Sequence, residues 1–263
     1  MAVVLITGCS SGFGLAAALA FSKRGDTVVA TVRDPSKAFA LERGASSNIE
    51  IAYLDVTNSH ARSATIERVL ERHGGIDVLV NNAGIFSFGP AEAMGEADLR
   101  TQFETNVFGA FGMMMEVLPT MRGKGGGRIV NVTSVAALGA PPFMTGYAAS
   151  KHALDAISSG MDHELCGFGI RVTTVAPVSF DTSIARQAPV FMTLYGGTPE
   201  RQFCTFQQRL HSRLDLSPVT EAIVEAATSP APRRRYIVAP GDLAFDALVA
   251  EKDRLDDARR PRA

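Results

Sequence analysis

Several things are scarce in this chain of 263 residues. Neither sign of charge is in excess: 26 Lys and Arg face 27 Asp and Glu, leaving a formal net charge of −1. Nucleic-acid binders usually concentrate a basic surplus on one face, so this balance argues against one. Cysteine is rare: Cys9, Cys166 and Cys204 are odd in number and far apart. No C-x-x-C pair and no His cluster with metal spacing occurs, which excludes a disulfide framework and a structural zinc. A reduced, intracellular protein with no metal is expected. No segment approaches the roughly 20 apolar residues of a membrane span. The opening stretch MAVVLITG has no basic n-region and too short an apolar run for a signal peptide. These absences predict a cytoplasmic protein with no membrane span and no nucleic-acid partner.

Short apolar runs are what the chain does have, with 46% of its residues hydrophobic. They fall at residues 3–7, 27–32, 49–54, 78–81, 128–132, 171–176 and 236–238. They are β-branched and nearly continuous, as strands buried on both faces are. Between them lie segments of helical length and period at 13–24, 60–72, 99–121 and 147–167. Strands alternating with helices imply βαβ units, and right-handed crossovers favour a doubly wound parallel sheet. The fold class expected is therefore α/β, a single Rossmann-type domain over 1–263 with about seven strands and helices on both faces. Residues 124–127 read as a glycine-rich turn. Residues 183–216 have no clear strand–helix pattern but carry Phe191, Met192, Leu194, Tyr195, Phe203 and Phe206. A long irregular insertion of this kind is expected to be a substrate lid. Ser217-Pro218 starts a further helix. The Arg233-Arg234-Arg235 run reads as a solvated flank of the last strand.

The stretch TGCSSGFG, Thr7 to Gly14, joins the first strand to the first helix. Gly8, Gly12 and Gly14 let backbone turn tightly and approach a ligand. The helix N-terminus beyond offers N–H groups and partial positive charge to a pyrophosphate. Further along come Asp55-Val56 at the end of the third strand and Asn81-Asn82-Ala83-Gly84 after the fourth. Asn106 follows in NVFG, then Ser134 after the fifth strand, then Tyr147 and Lys151 in YAASK. The T-G-x-x-x-G-x-G spacing and these ordered motifs resemble the short-chain dehydrogenase/reductase family, in its type of about 250 residues. The resemblance covers residues 1 to 182. ITGCSSG, ATVRD and Pro177-Val178 are similar to the branch holding estradiol 17β-dehydrogenase and retinol dehydrogenase-like enzymes. Val178 departs from the family's P-G-x-x-x-T, although Thr182 is in register.

What the resemblance implies is an NAD(P)-dependent oxidoreductase. It assigns the cofactor to Gly8, Ser10, Ser11, Gly12, Phe13, Gly14, Arg33, Asp55, Val56, Asn82, Ala83, Gly84, Tyr147, Lys151, Pro177 and Thr182. The catalytic residues it implies are Asn106, Ser134, Tyr147 and Lys151. Between the two cofactors the second strand decides. Where an acidic residue would hold a ribose 2′-hydroxyl, this chain has Val32, and Arg33 follows. A guanidinium there suits a 2′-phosphate, so NADP(H) is favoured over NAD(H). Asp34 beside it is able to neutralise that charge or pair with it.

Reducing a ketone with a hydride needs a proton donor at the developing alkoxide. Tyr147 is that donor, and its ordinary pKa of about 10 has to fall. Lys151, one turn on, shares its helix face and is expected to lower it. Ser134 orients the carbonyl. By resemblance, Lys151 also binds the nicotinamide ribose and Asn106 supports a water relay from Lys151. The branch implies an apolar substrate, steroid-like or retinoid-like, beside Val135, Leu138 and Phe143. A homodimer or homotetramer is expected through the helices of Asn106 and Tyr147, with Met113-Met114-Met115 on the first. The alternatives left are an NAD-dependent alcohol dehydrogenase, a non-catalytic NADP(H)-binding sensor, and an epimerase or dehydratase on the same fold.

Overall fold

The computed structural model describes residues 1–44, 46–178, 184 and 215–239. Seven strands appear among them: β1 (Val3–Ile6), β2 (Thr27–Val32), β3 (Ile49–Tyr53), β4 (Val78–Asn81), β5 (Gly127–Val132), β6 (Ile170–Pro177) and β7 (Arg235–Val238). All neighbours pair in parallel, in the order β3-β2-β1-β4-β5-β6-β7. Helices α1 (Gly12–Lys23), α2 (Phe39–Gly44), α3 (Ser59–His73), α4 (Glu96–Phe103), α5 (Ala110–Lys124), α6 (Thr145–Leu165) and α7 (Ser217–Thr228) connect or flank them. This is the doubly wound architecture that alternating apolar runs imply.

Why the strands read as continuous apolar runs is visible in the core. Val4, Ile6, Val28, Ala30, Val78 and Val80 join one cluster with Ala17, Phe21, Val219 and Ile223 of α1 and α7. Leu5, Val29 and Leu79 point the other way, to Ile66, Met113, Met114, Val117 and Leu154 of α3, α5 and α6. Each strand alternates, but both destinations are apolar. Met113 and Met114 are thus core residues, whereas Met115 is exposed.

The long predicted helix is a continuous run from Glu96 to Lys124 with a π-helical stretch over Glu104–Gly109. Such wide turns inside helices often sit at functional sites, and this one contains Asn106. Among the described residues no helix is long and apolar enough to cross a membrane.

The arginine run is not the solvated flank expected. Only Arg233 is exposed, stacked over Tyr236. Arg235 is buried and clasps Asp155 of α6 with two bonds of 3.0 and 2.9 Å. Arg234 lies 3.8 Å from Asp162 of the same helix, whose carboxylate also accepts from Arg171 at 2.7 Å. Two carboxylates seven residues apart on α6 lie against this end of β7, and they draw Arg234 and Arg235 inward by charge where a local reading of the run sees only solvated side chains.

Candidate active site

A cleft opens at the C-terminal ends of β1 and β4, where the chain leaves for opposite sides of the sheet. Ligands of open α/β sheets bind at such a switch point. Backbone forms its floor. Gly8 turns with φ 73°, in the left-handed region, and a Cβ there would lie 2.8 Å from the Cα of Ala83. A Cβ at Gly14 would run into the Gly8 carbonyl and the Asn82 side chain, so α1 starts directly against the turn. The Asn82 side chain donates to the carbonyls of Thr7 and Gly8, both at 2.9 Å. The amides of Asn82 and Ala83 donate to the Thr7 hydroxyl, both at 3.0 Å. The end of β4 is thereby stitched to the glycine turn.

The cleft encloses about 230 Å³. Of the residues expected to hold a dinucleotide, Gly8, Ser10, Ser11, Gly12, Phe13, Arg33, Asp55, Val56, Asn82, Ala83, Gly84, Tyr147, Lys151 and Pro177 line it. Gly14 stands behind the turn instead. Thr182 lies outside the described residues, as does nearly all of the expected lid at 183–216; Ile184 is described and lines the cleft. Val178, at the family's glycine position, donates to the Val238 carbonyl at 2.9 Å and extends the pairing of β6 with β7.

One end of the cleft is cationic. Arg33 and Lys37 both line it and both are exposed. Asp34, the expected complication, is engaged elsewhere. Its carboxylate accepts from the Ser36 hydroxyl at 2.7 Å and the Ser36 amide at 3.0 Å, capping the turn Pro35–Lys37. Those bonds to Ser36 hold its carboxyl below the ordinary range, with smaller help from Lys37 and Arg33. Lys37 escaped the sequence reading, although the Pro35 turn between it and Arg33 signals that the chain folds back.

At the other end stand Tyr147 and Lys151, on the first turns of α6. Burial pushes the Lys151 ammonium down to about 8, and it donates to the Val132 carbonyl at 2.9 Å. Its Nζ sits 5.8 Å from the centre of the Tyr147 ring. Burial pushes the Tyr147 phenol up to about 12, and a hydrogen bond with the Ser134 hydroxyl draws it partly back. This direction is opposite to the fall expected from the Tyr–Lys spacing. Desolvation of the phenolate outweighs what its neighbours give back. The Ser134 hydroxyl oxygen accepts from the Ala136 amide at 3.1 Å, which leaves its proton for Tyr147.

Asn106 does not touch Lys151 through its side chain. Its Oδ1 accepts from the Ile85 amide at 2.8 Å, and its Nδ2 donates to the Ile85 carbonyl at 2.9 Å and to the Ser150 hydroxyl at 3.0 Å. Ser150, fully buried, donates to the Tyr147 carbonyl at 2.7 Å. The Asn106 side chain thereby holds two segments together, the one after β4 and the start of α6. Nothing in the local pattern of YAASK marks Ser150 for this role, because its partner Asn106 lies 44 residues earlier in the chain.

A dinucleotide fits these residues: the floor has no side chain where Cβ atoms would intrude, a helix N-terminus heads it, and two cations stand at one end. Comparison with known proteins identifies a family and several relatives. The family described as short chain dehydrogenase matches residues 2–190. An uncharacterized oxidoreductase of Bacillus subtilis, YusZ, is 40% identical over 187 residues, covering 69% of this chain and 66% of that protein. Human retinol dehydrogenase 5 is 33% identical over 259 residues, covering 89% of this chain and 80% of its own length. Among solved structures, ElxO with NADP bound superposes with a TM-score of 0.76 at 27% identity, covering 90% of this chain and 97% of that one. A short-chain dehydrogenase/reductase of Burkholderia phymatum in complex with NAD gives 0.83 at 26% identity, covering 100% and 96%.

Proposed function

The chain belongs to the short-chain dehydrogenase family, and from that premise we propose that it is an NADP(H)-dependent oxidoreductase interconverting an apolar ketone or aldehyde and its alcohol. The observation that carries the reading is that Tyr147 and Lys151 line the same cleft as the glycine turn, with Ser134 bonded to the phenol. Gly8 to Phe13 and the start of α1 would hold the pyrophosphate, Asp55 and Val56 the adenine, and Asn82 to Gly84 with Lys151 the nicotinamide end. When bound, the dinucleotide supplies the hydride in reduction and accepts it in oxidation.

The rest of the chemistry belongs to the chain. When substrate binds, the Ser134 hydroxyl turns its one proton from Tyr147 to the substrate oxygen and steadies charge that grows on it. The Tyr147 Oη proton passes to that oxygen as the carbonyl becomes an alcohol. A phenol held near 12 keeps its proton at neutral pH, and the Lys151 ammonium, charged below about pH 8, stabilises the phenolate left behind. In oxidation the same proton returns.

NADP(H) is favoured over NAD(H) because Val32 offers no acceptor to a ribose hydroxyl, while Arg33 and Lys37 line that end and the Asp34 carboxylate is hydrogen-bonded to Ser36. Retinol dehydrogenase 5 as a relative supports a retinoid-like substrate. Exposed Phe108, Phe111 and Met115 share one face of the helix through Asn106 and support a homodimer or homotetramer built on it; sedimentation of the purified protein reads this directly. The proposed setting is the cytoplasm.

The test is a carbonyl panel of all-trans-retinal, a steroid ketone and a short-chain ketone, followed through the loss of NADPH absorbance. Turnover with an apolar member, lost in Tyr147→Phe while NADPH still binds, is the expected result. Tight NADPH binding with no consumption of any carbonyl would leave a sensor in place of an enzyme.

A further inference from the structure

Tyr147 is gripped by an aromatic neighbour that the reaction itself does not require. Phe86 meets its ring edge to face, with centroids 4.8 Å apart and planes at 88°. Phe86 is 5% exposed and follows directly after Ile85, the residue whose amide and carbonyl Asn106 clamps. Phe88, two residues on in the same segment, lies 6.3 Å from Phe86 and 5.9 Å from Phe143. The Gly89 amide donates to the Phe143 carbonyl at 2.8 Å. Phe143 itself holds φ 65°, a conformation in which a bulky residue is an outlier and which persists only where the surroundings impose it. Three rings and one backbone bond therefore tie the segment after β4 to the segment before α6, with the Tyr147 ring at the seam.

A hydroxyl on a phenol lies on the axis about which the ring rotates. The Ser134 bond fixes the position of that oxygen but not the rotation of the ring, and the terminal torsion of Tyr is intrinsically broad. Conjugation keeps the phenolic O–H in the plane of the ring. Whatever fixes the ring plane thus fixes the plane in which the transferable proton lies. We infer that Phe86 is a positioning residue: its edge-to-face contact sets the Tyr147 ring plane so that the phenolic proton points to where the substrate oxygen binds. Asn106 then acts on Tyr147 twice, through Ser150 on its backbone and through Ile85 and Phe86 on its ring.

This rests on Tyr147 being the acid, and the experiment separates the two claims. Phe86→Leu keeps apolar bulk and loses the flat ring, whereas Phe86→Tyr keeps the ring. With the carbonyl turned over in the panel, Phe86→Leu should lower kcat about three- to tenfold, the worth of an aromatic pair. KM and NADPH affinity should stay within about twofold. The solvent deuterium isotope effect on kcat should rise, because a misdirected proton makes its transfer limiting, and Phe86→Tyr should restore both values. NMR of the tyrosine-labelled protein without substrate or cofactor, with the Tyr147 signal identified by its loss in Tyr147→Phe, should show faster ring averaging in Phe86→Leu than in the wild type. Unchanged ring averaging in Phe86→Leu overturns the inference, as does an unchanged kcat and isotope effect. So does a parallel fall of kcat and NADPH affinity in both variants, which would mark plain loss of packing. Retained activity in Tyr147→Phe removes the acid itself, and the positioning role with it.

Discussion

Asn106 donates from its side-chain amide to the Ser150 hydroxyl at 3.0 Å, and Ser150 passes the contact on to the Tyr147 carbonyl at 2.7 Å. The Asn106–Ser150 bond is buried, and a buried donor left without its partner costs about 1–3 kcal/mol. Ser150→Ala should therefore lower stability by about that much in urea unfolding, and lower kcat about tenfold as the start of α6 loosens. NADPH affinity, set mostly by the glycine turn, should change little. Wild-type kcat in this variant would show that the Asn106–Ser150 bond does not bear on Tyr147.

Arg33 and Lys37 line one end of the cleft while Asp34 is held by Ser36. Arg33→Ala should weaken NADPH binding about tenfold or more, and Lys37→Ala somewhat less, because a guanidinium grips phosphate with two bonds and an ammonium with one charge. NADH binding should stay within about twofold, since it carries no phosphate there. Fluorescence titration with both cofactors checks this; equal losses for the two would remove the NADP(H) preference.

Lys151 carries a charge in a buried site, and burial holds its folded value near 8, below the ordinary 10.5. Between these two values the unfolded chain binds the proton and the folded chain does not, so stability rises with pH across that window. Relative to Lys151→Met, which does not titrate, the wild type should gain up to about 3 kcal/mol from pH 8 to pH 10.5. Urea unfolding at several pH values reads the difference. Turnover should decline above about pH 8 as the ammonium beside the phenolate loses its charge.

Asp155 and Arg235 form a buried ion pair between α6 and β7. Removing either partner leaves an uncompensated charge and should cost about 3–5 kcal/mol, whereas Asp155→Leu with Arg235→Met should cost much less than the two singles together. A double-mutant cycle in urea measures the coupling. Additive losses would mean that the pair contributes nothing as a pair.

How far the sequence speaks depends on where the relevant partner lies. The strands were legible because each alternates between two apolar faces, as Val4 and Leu5 do on β1. Tyr147, Lys151 and Ser134 were legible because their spacing is local. The run at Arg233 to Arg235 misled because the partner of Arg235 is Asp155, 80 residues away, and no local pattern announces it. The rise of the Tyr147 phenol followed from burial, a property of the whole packed site and not of the lysine one turn away. Lys37 and Phe86 were passed over for a similar reason, since each matters only once the chain has folded beside Arg33 or Tyr147.

The order of the strands also governs how this protein comes into being. β1 is made first but sits between β2 and β4, and the Thr7 amide that leaves its end donates to the Val80 carbonyl. A chain leaving the ribosome can pair β1 with β2 early, yet the other side of β1 stays an open edge until residue 80 has emerged. An unpaired apolar edge of this kind is a template for association with another chain. The half-made protein is therefore the aggregation-prone one, and the emergence of β4 at once covers that edge and brings Ala83 onto Gly8 to shape the ligand floor.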